Sequence, residues 1–211
     1  VHILSDHGFT SFRRQFNINS WLLDQGYANL RNPRDRDGAP GFQNTDWTRT
    51  RAYGLGINSL YLNLKGREPH GVVTRGDDAE RLRTALIAGL TAVRDPETGE
   101  QVIRRVVRPE EVYRQVSGDR APDLIICYNN HYRASWDTIL GGFSSQQLLD
   151  NRDPWSGDHC MDPDLLPGVL LTNGPMRLTD PSLEDLAPTV IGSFGVPVPA
   201  GMRGRDLFGR S

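Results

Sequence analysis

Apolar residues occur along the chain in two patterns, as short continuous runs and at intervals of three or four residues. These patterns predict its secondary structure. Short apolar runs bounded by Gly, Pro or polar residues are typical of strands. Strands are predicted at residues 1–4, 59–64, 101–108, 123–128 and 168–172. The first of them, Val-His-Ile-Leu, is predicted to be buried and to end before Gly8.

Helices are predicted where apolar residues recur every three or four positions. The clearest is residues 77–93, where Leu82, Leu86 and Leu90 share one face and acidic residues stand in the first turn. Shorter helical segments are predicted within residues 11–30, capped by Asn19 or Ser20 and closed near Gly26, at 109–113, and at 182–194 with Gly195 just beyond.

Strands and amphipathic helices in alternation indicate an α/β layer structure. The 22 Gly and 14 Pro residues agree with a protein rich in loops. Residues 32–56 are polar and rich in turn residues, with Asp37-Gly38 and Ala39-Pro40-Gly41 as the strongest turn signals. This stretch is predicted to be a surface excursion, and such loops often carry function.

Composition narrows the classes of partner. The chain has 24 Lys and Arg against 26 Asp and Glu, so no strong field attracts nucleic acid or an anionic membrane. No apolar stretch approaches the ~20 residues of a membrane helix. We therefore expect neither a nucleic-acid polymer nor a membrane segment. The two cysteines do not indicate in which cellular compartment the protein lies. Cys127 lies in a predicted core strand. Cys160 is expected to be a neighbour of His159 rather than a metal ligand.

Three residues form the candidate metal site. Asp6 and His7 stand where the first predicted strand ends, and carboxylate with imidazole suits a divalent metal. His159 lies in an irregular Gly- and Asp-rich stretch, where a side chain can turn toward a cavity. The other histidines, His2, His70 and His131, have no acidic neighbour and are predicted to be ordinary surface or core residues.

Other polar residues near these segments receive structural predictions. Asp158 could orient His159, line the pocket or cap its loop, and loop capping is favoured. Arg67 and Glu68 are predicted to form a surface ion pair, although Arg also suits phosphate. Asn63 is predicted to bond at a strand end, and Trp47 to pack rather than to stack on a nucleobase.

Ser5-Asp6-His7-Gly8-Phe9 resembles the Ser-Asp-His-Gly segment of the alkaline phosphatase superfamily, and is most similar to its type I phosphodiesterase/nucleotide pyrophosphatase branch. Further resemblances to that branch follow in the same order along the chain. They lie at residues 46–53, 61–63, 66–68, 71–73, 122–124, 157–159 and 185–204.

The resemblance implies a site with two divalent metal ions, commonly zinc with manganese as an alternative, and a Thr or Ser nucleophile that is transiently phosphorylated. Asp6 and His7 would bind one ion and His159 the other. It also implies an alkaline-phosphatase-like three-layer sandwich with a mostly parallel central sheet. The nucleophile and further ligands of the family precede its Ser-Asp-His-Gly segment. We therefore expect the chain to be the C-terminal part of one catalytic domain, its N-terminal part missing, without a catalytic residue and inactive alone.

The function implied is hydrolysis of a small phosphate ester, either a phosphodiester or a nucleotide pyrophosphate. A sulfatase or phosphomutase of the same superfamily stays an alternative, because the residue that would distinguish them precedes the segments seen here. A non-catalytic binding module with a degenerate site is the alternative from a different class. The substrate and the oligomeric state stay open.

Overall fold

The computed structural model describes residues 1–34, 36–37, 41–116 and 118–209. The predicted turn residues 38–40 lie outside this part of the chain. The strands are β1 (His2–Leu4), β2 (Thr10–Phe16), β3 (Ala52–Gly54), β4 (Ser59–Leu62), β5 (Ile103–Val107), β6 (Leu124–Tyr128), β7 (His131–Ala134), β8 (Leu148–Asp150), β9 (Gly157–Asp158) and β10 (Leu170–Thr172). The helices are α1 (Ile18–Asp24), α2 (Asp77–Thr91), α3 (Pro109–Val112), α4 (Trp136–Ile139) and α5 (Leu186–Ser193).

The described residues form two compact units. The larger unit comprises residues 9–166, and the smaller combines residues 1–8 with the chain from residue 167 onward. None of the helices in the described ranges is both long and apolar enough to cross a membrane. Whether both units belong to one catalytic domain stays a prediction.

One sheet of the larger unit is antiparallel throughout, in the order β3-β4-β6-β5. Helix α2 contributes Leu82, Leu86 and Leu90 to the core that also contains Ile103 of β5 and Ile126 of β6. These three leucines recur every four residues on one face, so the period that predicted this helix also determines what it buries.

The second sheet of the larger unit is built around β2, which pairs with β7 in parallel and with β8 and β9 antiparallel. The sequence analysis missed this strand. Phe12 and Phe16 are buried, while Arg14 between them bonds Asp95, so a charge interrupts the apolar pattern. Phe12, Arg14 and Phe16 stand two residues apart, and this spacing was the sequence feature that could have indicated a strand.

The smaller unit contains the antiparallel pair β1–β10 and helix α5. The prediction that β1 is buried is wrong, since Ile3 is 61% and Leu4 46% exposed. Apolar composition alone suggested burial, but a two-stranded ribbon leaves much of each strand uncovered. Helix α5 follows a single 3-10 turn at Leu183–Asp185. Gly195 lies just beyond the helix, as predicted, and takes the left-handed conformation.

The α/β composition and most predicted elements are confirmed, with boundaries shifted by a few residues. Helix α1 begins at Ile18, with Asn17 at its N-cap position instead of Asn19 or Ser20. The mostly parallel sheet is not confirmed: among the strand pairs of the described residues, only β2–β7 is parallel. Neighbours such as β3 and β4 are joined by a short connection, which reverses the chain, whereas parallel neighbours need a long crossover.

A buried ion cluster joins β6 to α2 and to the loop after β4. Asp123 accepts hydrogen bonds from Arg67 at 2.7 Å, from Arg83 at 2.9 Å, and from the backbone N–H of Leu62 at 2.7 Å. The Asp123 side chain is only 3% exposed. Its charge is therefore balanced by two guanidinium groups and not by water.

We predict that Asp123→Asn destabilises the larger unit by about 3–5 kcal/mol, because it leaves two largely buried cations without their shared counter-charge. The midpoint of urea unfolding measures this. Asp119→Asn is the matched control, since Asp119 is 73% exposed in its ion pair with Arg75 and should cost less than about 1 kcal/mol. Equal losses for both variants would contradict the prediction.

Asp185 fixes the start of α5 in the smaller unit. Its carboxylate accepts hydrogen bonds from the backbone N–H groups of Ser182 at 2.8 Å and Arg205 at 2.7 Å. Burial alone would raise the pKa of Asp185, but these bonds and the Arg205 guanidinium outweigh burial and lower the pKa to about 2. The ionised carboxylate is therefore the form that the folded unit favours.

Because the folded pKa of Asp185 lies below the ordinary 3.8, this group stabilises the fold above pH 3.8, and the contribution disappears as pH falls toward 2. We predict that Asp185→Asn lowers stability near neutral pH and flattens the stability profile between pH 4 and pH 2. Circular dichroism during acid titration of both proteins measures this. Parallel profiles for the two proteins would refute it.

Candidate functional site

The segment that carries Asp6 and His7 is anchored to the chain that leads into β10. The Ser5 N–H donates to the carbonyl of Val169 at 2.9 Å, and the Val169 N–H donates to Ser5 Oγ at 2.9 Å. Gly168 lies so close that a Cβ there would stand 3.0 Å from the Ser5 carbonyl oxygen. The pairing of β1 with β10 therefore continues through Ser5 and holds Asp6 and His7 just past the strand end.

Asp6 and His7 bring their ligand atoms together. His7 Nε2 lies 3.3 Å from Asp6 Oδ2, and His7 Nδ1 lies 2.8 Å from the carbonyl oxygen of Gly8. A proton on Nδ1 makes that second contact a hydrogen bond and places the ring's lone pair on Nε2. In a tetrahedral zinc site with bonds of about 2.0–2.1 Å, neighbouring ligand atoms are about 3.3 Å apart. The pair therefore fits two adjacent positions around one divalent ion.

A cavity of about 280 Å³ opens beside Asp6 in the smaller unit. Its wall includes Ser5 and Asp6 on one side, with Met176, Leu183 and Leu186 among the apolar residues. Asp6 thus borders a space whose wall is partly polar and partly apolar.

His159 stands in the larger unit, directly after β9. Strand β9 pairs with β2 through Thr10 and Asp158, which places His159 at the end of this sheet. Its ring lies 6.0 Å from the ring of Phe9, measured between centroids, and about half of the side chain is exposed.

Asp158 holds the loop of His159 in place. Its Oδ1 accepts hydrogen bonds from the backbone N–H groups of His159 at 2.6 Å and Cys160 at 3.0 Å, which confirms the predicted capping role. Its Oδ2 lies 2.9 Å from Arg133 Nη1. The guanidinium of Arg133 is itself buried between the rings of Phe12 and Trp136, at 5.0 and 4.5 Å from their centroids.

Asp158, His159 and Cys160 place their ligand atoms within 4.8 Å of one another, so this group could hold a metal ion. Cys160 was expected to be a neighbour of His159 rather than a ligand, but its Sγ lies together with the ligand atoms of Asp158 and His159. Burial, together with the hydrogen bond and charge of Asp158, raises the pKa of Cys160 to about 11. The thiol is therefore the favoured form of Cys160 near neutral pH without a metal, and an ion bound there would have to displace its proton.

The sequence model of the type I phosphodiesterase / nucleotide pyrophosphatase family matches residues 1–138. This chain belongs to that family. No curated protein and no solved structure matches it. The family description covers phosphodiesterases and nucleotide pyrophosphatases, so it supports a hydrolase of phosphate esters and confirms the resemblance.

The family match includes Asp6 and His7 and ends before His159. The structure brings Asp6 and His7 together in the smaller unit and places His159 in the larger one. The assignment of His159 as a ligand therefore rests on the resemblance of residues 157–159. Sequence reasoning missed Arg133, whose only signal is a charged residue between two apolar neighbours in Tyr132-Arg133-Ala134.

We predict that Asp158→Ala accelerates amide hydrogen exchange at His159 and Cys160, because alanine offers their N–H groups no acceptor. It should also destabilise the larger unit by about 3–5 kcal/mol, because the buried Arg133 loses its counter-charge. Hydrogen exchange followed by NMR measures both effects. Asp164→Ala is the matched control, since Asp164 forms a more exposed pair with Arg105 nearby. Unchanged exchange at the two amides in Asp158→Ala would show that the carboxylate does not hold this loop.

Proposed function

We propose that this chain supplies ligands to a dinuclear metal site that hydrolyses phosphate esters, either phosphodiesters or nucleotide pyrophosphates. The observation that carries the proposal is the 3.3 Å separation of Asp6 Oδ2 and His7 Nε2, which suits two ligands of one ion. Family membership adds the reaction class, because both functions in the family description are hydrolyses at phosphorus.

Asp6 and His7 would hold one ion and His159 the other, with zinc favoured by the carboxylate and imidazole donors. Bound there, a pair of divalent ions supplies Lewis acidity toward the oxygens of a phosphoryl group. The chain's own residues orient the ligands: the Gly8 carbonyl directs the His7 ring, and Asp158 with Arg133 directs the loop of His159. Such supporting bonds typically affect metal affinity or activity 10–100-fold.

The proposal assigns no catalytic residue to this chain. In the family's order of motifs the Thr or Ser nucleophile comes before the Ser-Asp-His-Gly segment, so the proposed reaction would need a nucleophile from outside the residues considered. The 211 residues alone are then expected to be inactive. We also propose that both units belong to a single alkaline-phosphatase-like catalytic domain with a three-layer architecture.

The test uses the natural protein in which this sequence occurs. We predict that His7→Gln and His159→Gln each lower kcat/KM for bis(p-nitrophenyl) phosphate by about 100-fold or more, equivalent to roughly 2.7 kcal/mol of transition-state stabilisation. A chelator should abolish hydrolysis, and added zinc should restore it. His2→Gln is the matched control, because His2 lies in the same segment outside the ligand set and should stay within about twofold.

Four results would contradict the proposal. Hydrolysis that persists after complete metal removal would exclude the metal site, and retained activity in His7→Gln would exclude that ligand. Faster cleavage of p-nitrophenyl sulfate than of bis(p-nitrophenyl) phosphate would indicate a sulfatase. Metal binding without turnover of any ester would favour the binding-module alternative.

A further inference from the structure

One place in the larger unit brings three potential metal ligands together. The ligand atoms of Asp158, His159 and Cys160 lie within 4.8 Å of one another, and no other three Asp, Glu, His or Cys residues of the described ranges converge in this way. The family resemblance gives a metal role to His159 alone. The contacts of its two neighbours show what each of them could contribute to an ion bound there.

Asp158 is already engaged inside the fold. Its Oδ1 accepts the backbone N–H groups of His159 at 2.6 Å and Cys160 at 3.0 Å, and its Oδ2 lies 2.9 Å from Arg133 Nη1. The Arg133 side chain is only 4% exposed. Moving the Asp158 carboxylate onto a metal ion would leave a buried guanidinium without its counter-charge, which is strongly unfavourable. Asp158 therefore holds the loop and is not the anionic ligand.

The backbone of Cys160 is held on both sides. Its carbonyl accepts a hydrogen bond from the side-chain amide of Asn58 at 3.2 Å. The next residue, Met161, is 4% exposed within a small apolar core, and the N–H of Asp162 donates to the carbonyl of Tyr128 at 2.9 Å. The Cys160 side chain is only partly buried, so solvent ions can reach its Sγ. A ligand whose backbone is already fixed loses little conformational entropy on binding.

The Sγ of Cys160 and a ring nitrogen of His159 are close enough to bind the same ion. They lie no more than 4.8 Å apart, and a sulfur and a nitrogen at the usual zinc bond lengths are about 3.6 Å apart in a tetrahedral site. About half of the His159 side chain is exposed, so a modest rotation of the ring closes the difference. Thiolate and imidazole are donors that suit zinc, whereas magnesium and manganese prefer oxygen donors.

The other cysteine of the chain lacks these properties. Cys127 is 6% exposed in β6, and its thiol forms a hydrogen bond with the guanidinium of Arg105. A fixed positive charge beside that sulfur opposes the approach of a metal cation. The 211 residues contain only two cysteines, so a metal-bound thiolate in this chain would come from Cys160.

We propose that Cys160 is a metal ligand, and that its thiolate and the imidazole of His159 bind one thiophilic divalent ion, preferably zinc. On binding, the S–H bond breaks, a metal–sulfur bond forms and the proton leaves to solvent. Asp158 is a positioning residue, which holds both donors through their backbone. The inference rests on the proposed function for the role of His159, and it adds a ligand and a metal preference that the family resemblance does not supply.

The test adds Co²⁺, which substitutes for zinc and absorbs light, to the 211-residue chain under reducing conditions. We predict a saturable sulfur-to-cobalt charge-transfer band in the near ultraviolet. This band requires a thiolate bound to the ion, so it reports coordination and not activity. Added Zn²⁺ should abolish the band by displacing cobalt, and excess Mg²⁺ should leave it unchanged.

Substitutions assign the band to its sulfur. Cys160→Ser should remove it and weaken cobalt binding about tenfold or more, because a hydroxyl is a much poorer ligand than a thiolate. His159→Gln should weaken binding by a similar factor and keep the band at saturating cobalt. Cys127→Ala is the matched control, and His7→Gln tests the other proposed ligand pair; both should leave the band unchanged.

Absence of the band at saturating cobalt would overturn the proposal, as would a band that survives in Cys160→Ser. If Cys127→Ala fails to fold, the partly exposed Cys160→Ser still decides, because the chain has no third cysteine. A band in a protein that hydrolyses no ester would support this inference and contradict the proposed function. Failure of one is therefore distinguishable from failure of the other.

Discussion

The larger unit depends most on the contacts of the Asp123 carboxylate with Arg67 and Arg83. This carboxylate is almost fully buried, and it joins the start of β6 to Arg83 of α2 and to Arg67 of the loop after β4. Arg67 in turn bonds Glu68, and Glu68 bonds Tyr53. Helix α2, strand β6 and Tyr53 of β3 are thus connected through one chain of hydrogen bonds that involve charged groups. A buried network of this kind is costly to break at any single member.

The sequence predicted those parts of the fold that depend on local periodicity. Helix α2 follows from the spacing of Leu82, Leu86 and Leu90, and β6 from an uninterrupted apolar run. Strand β2 was not predicted, because its inward-facing Arg14 interrupts the apolar pattern and is neutralised by Asp95, a residue 81 positions away. Strand direction and the exposure of β1 likewise depend on distant partners, which a single sequence does not reveal.

In the candidate site, too, contacts between residues adjacent in sequence were predictable and contacts between distant residues were not. Asp6 and His7 are adjacent in sequence, so their convergence required no knowledge of tertiary structure, and the Ser-Asp-His-Gly pattern identified them. The capping role of Asp158 was also predictable, because it acts on the next two residues. Arg133 was not predictable, since its importance comes from Phe12, Trp136 and Asp158, which meet it only in the folded chain.

The sandwiched guanidinium of Arg133 has a consequence for how this protein can vary. Asp158 neutralises that cation and also accepts the backbone N–H of His159. One side chain therefore connects the contacts of Arg133 with Phe12 and Trp136 to the backbone conformation at His159. Substitutions at Phe12 or Trp136 are therefore expected to be non-additive with substitutions at Asp158. Homologous sequences would be expected to exchange these four residues together rather than one at a time.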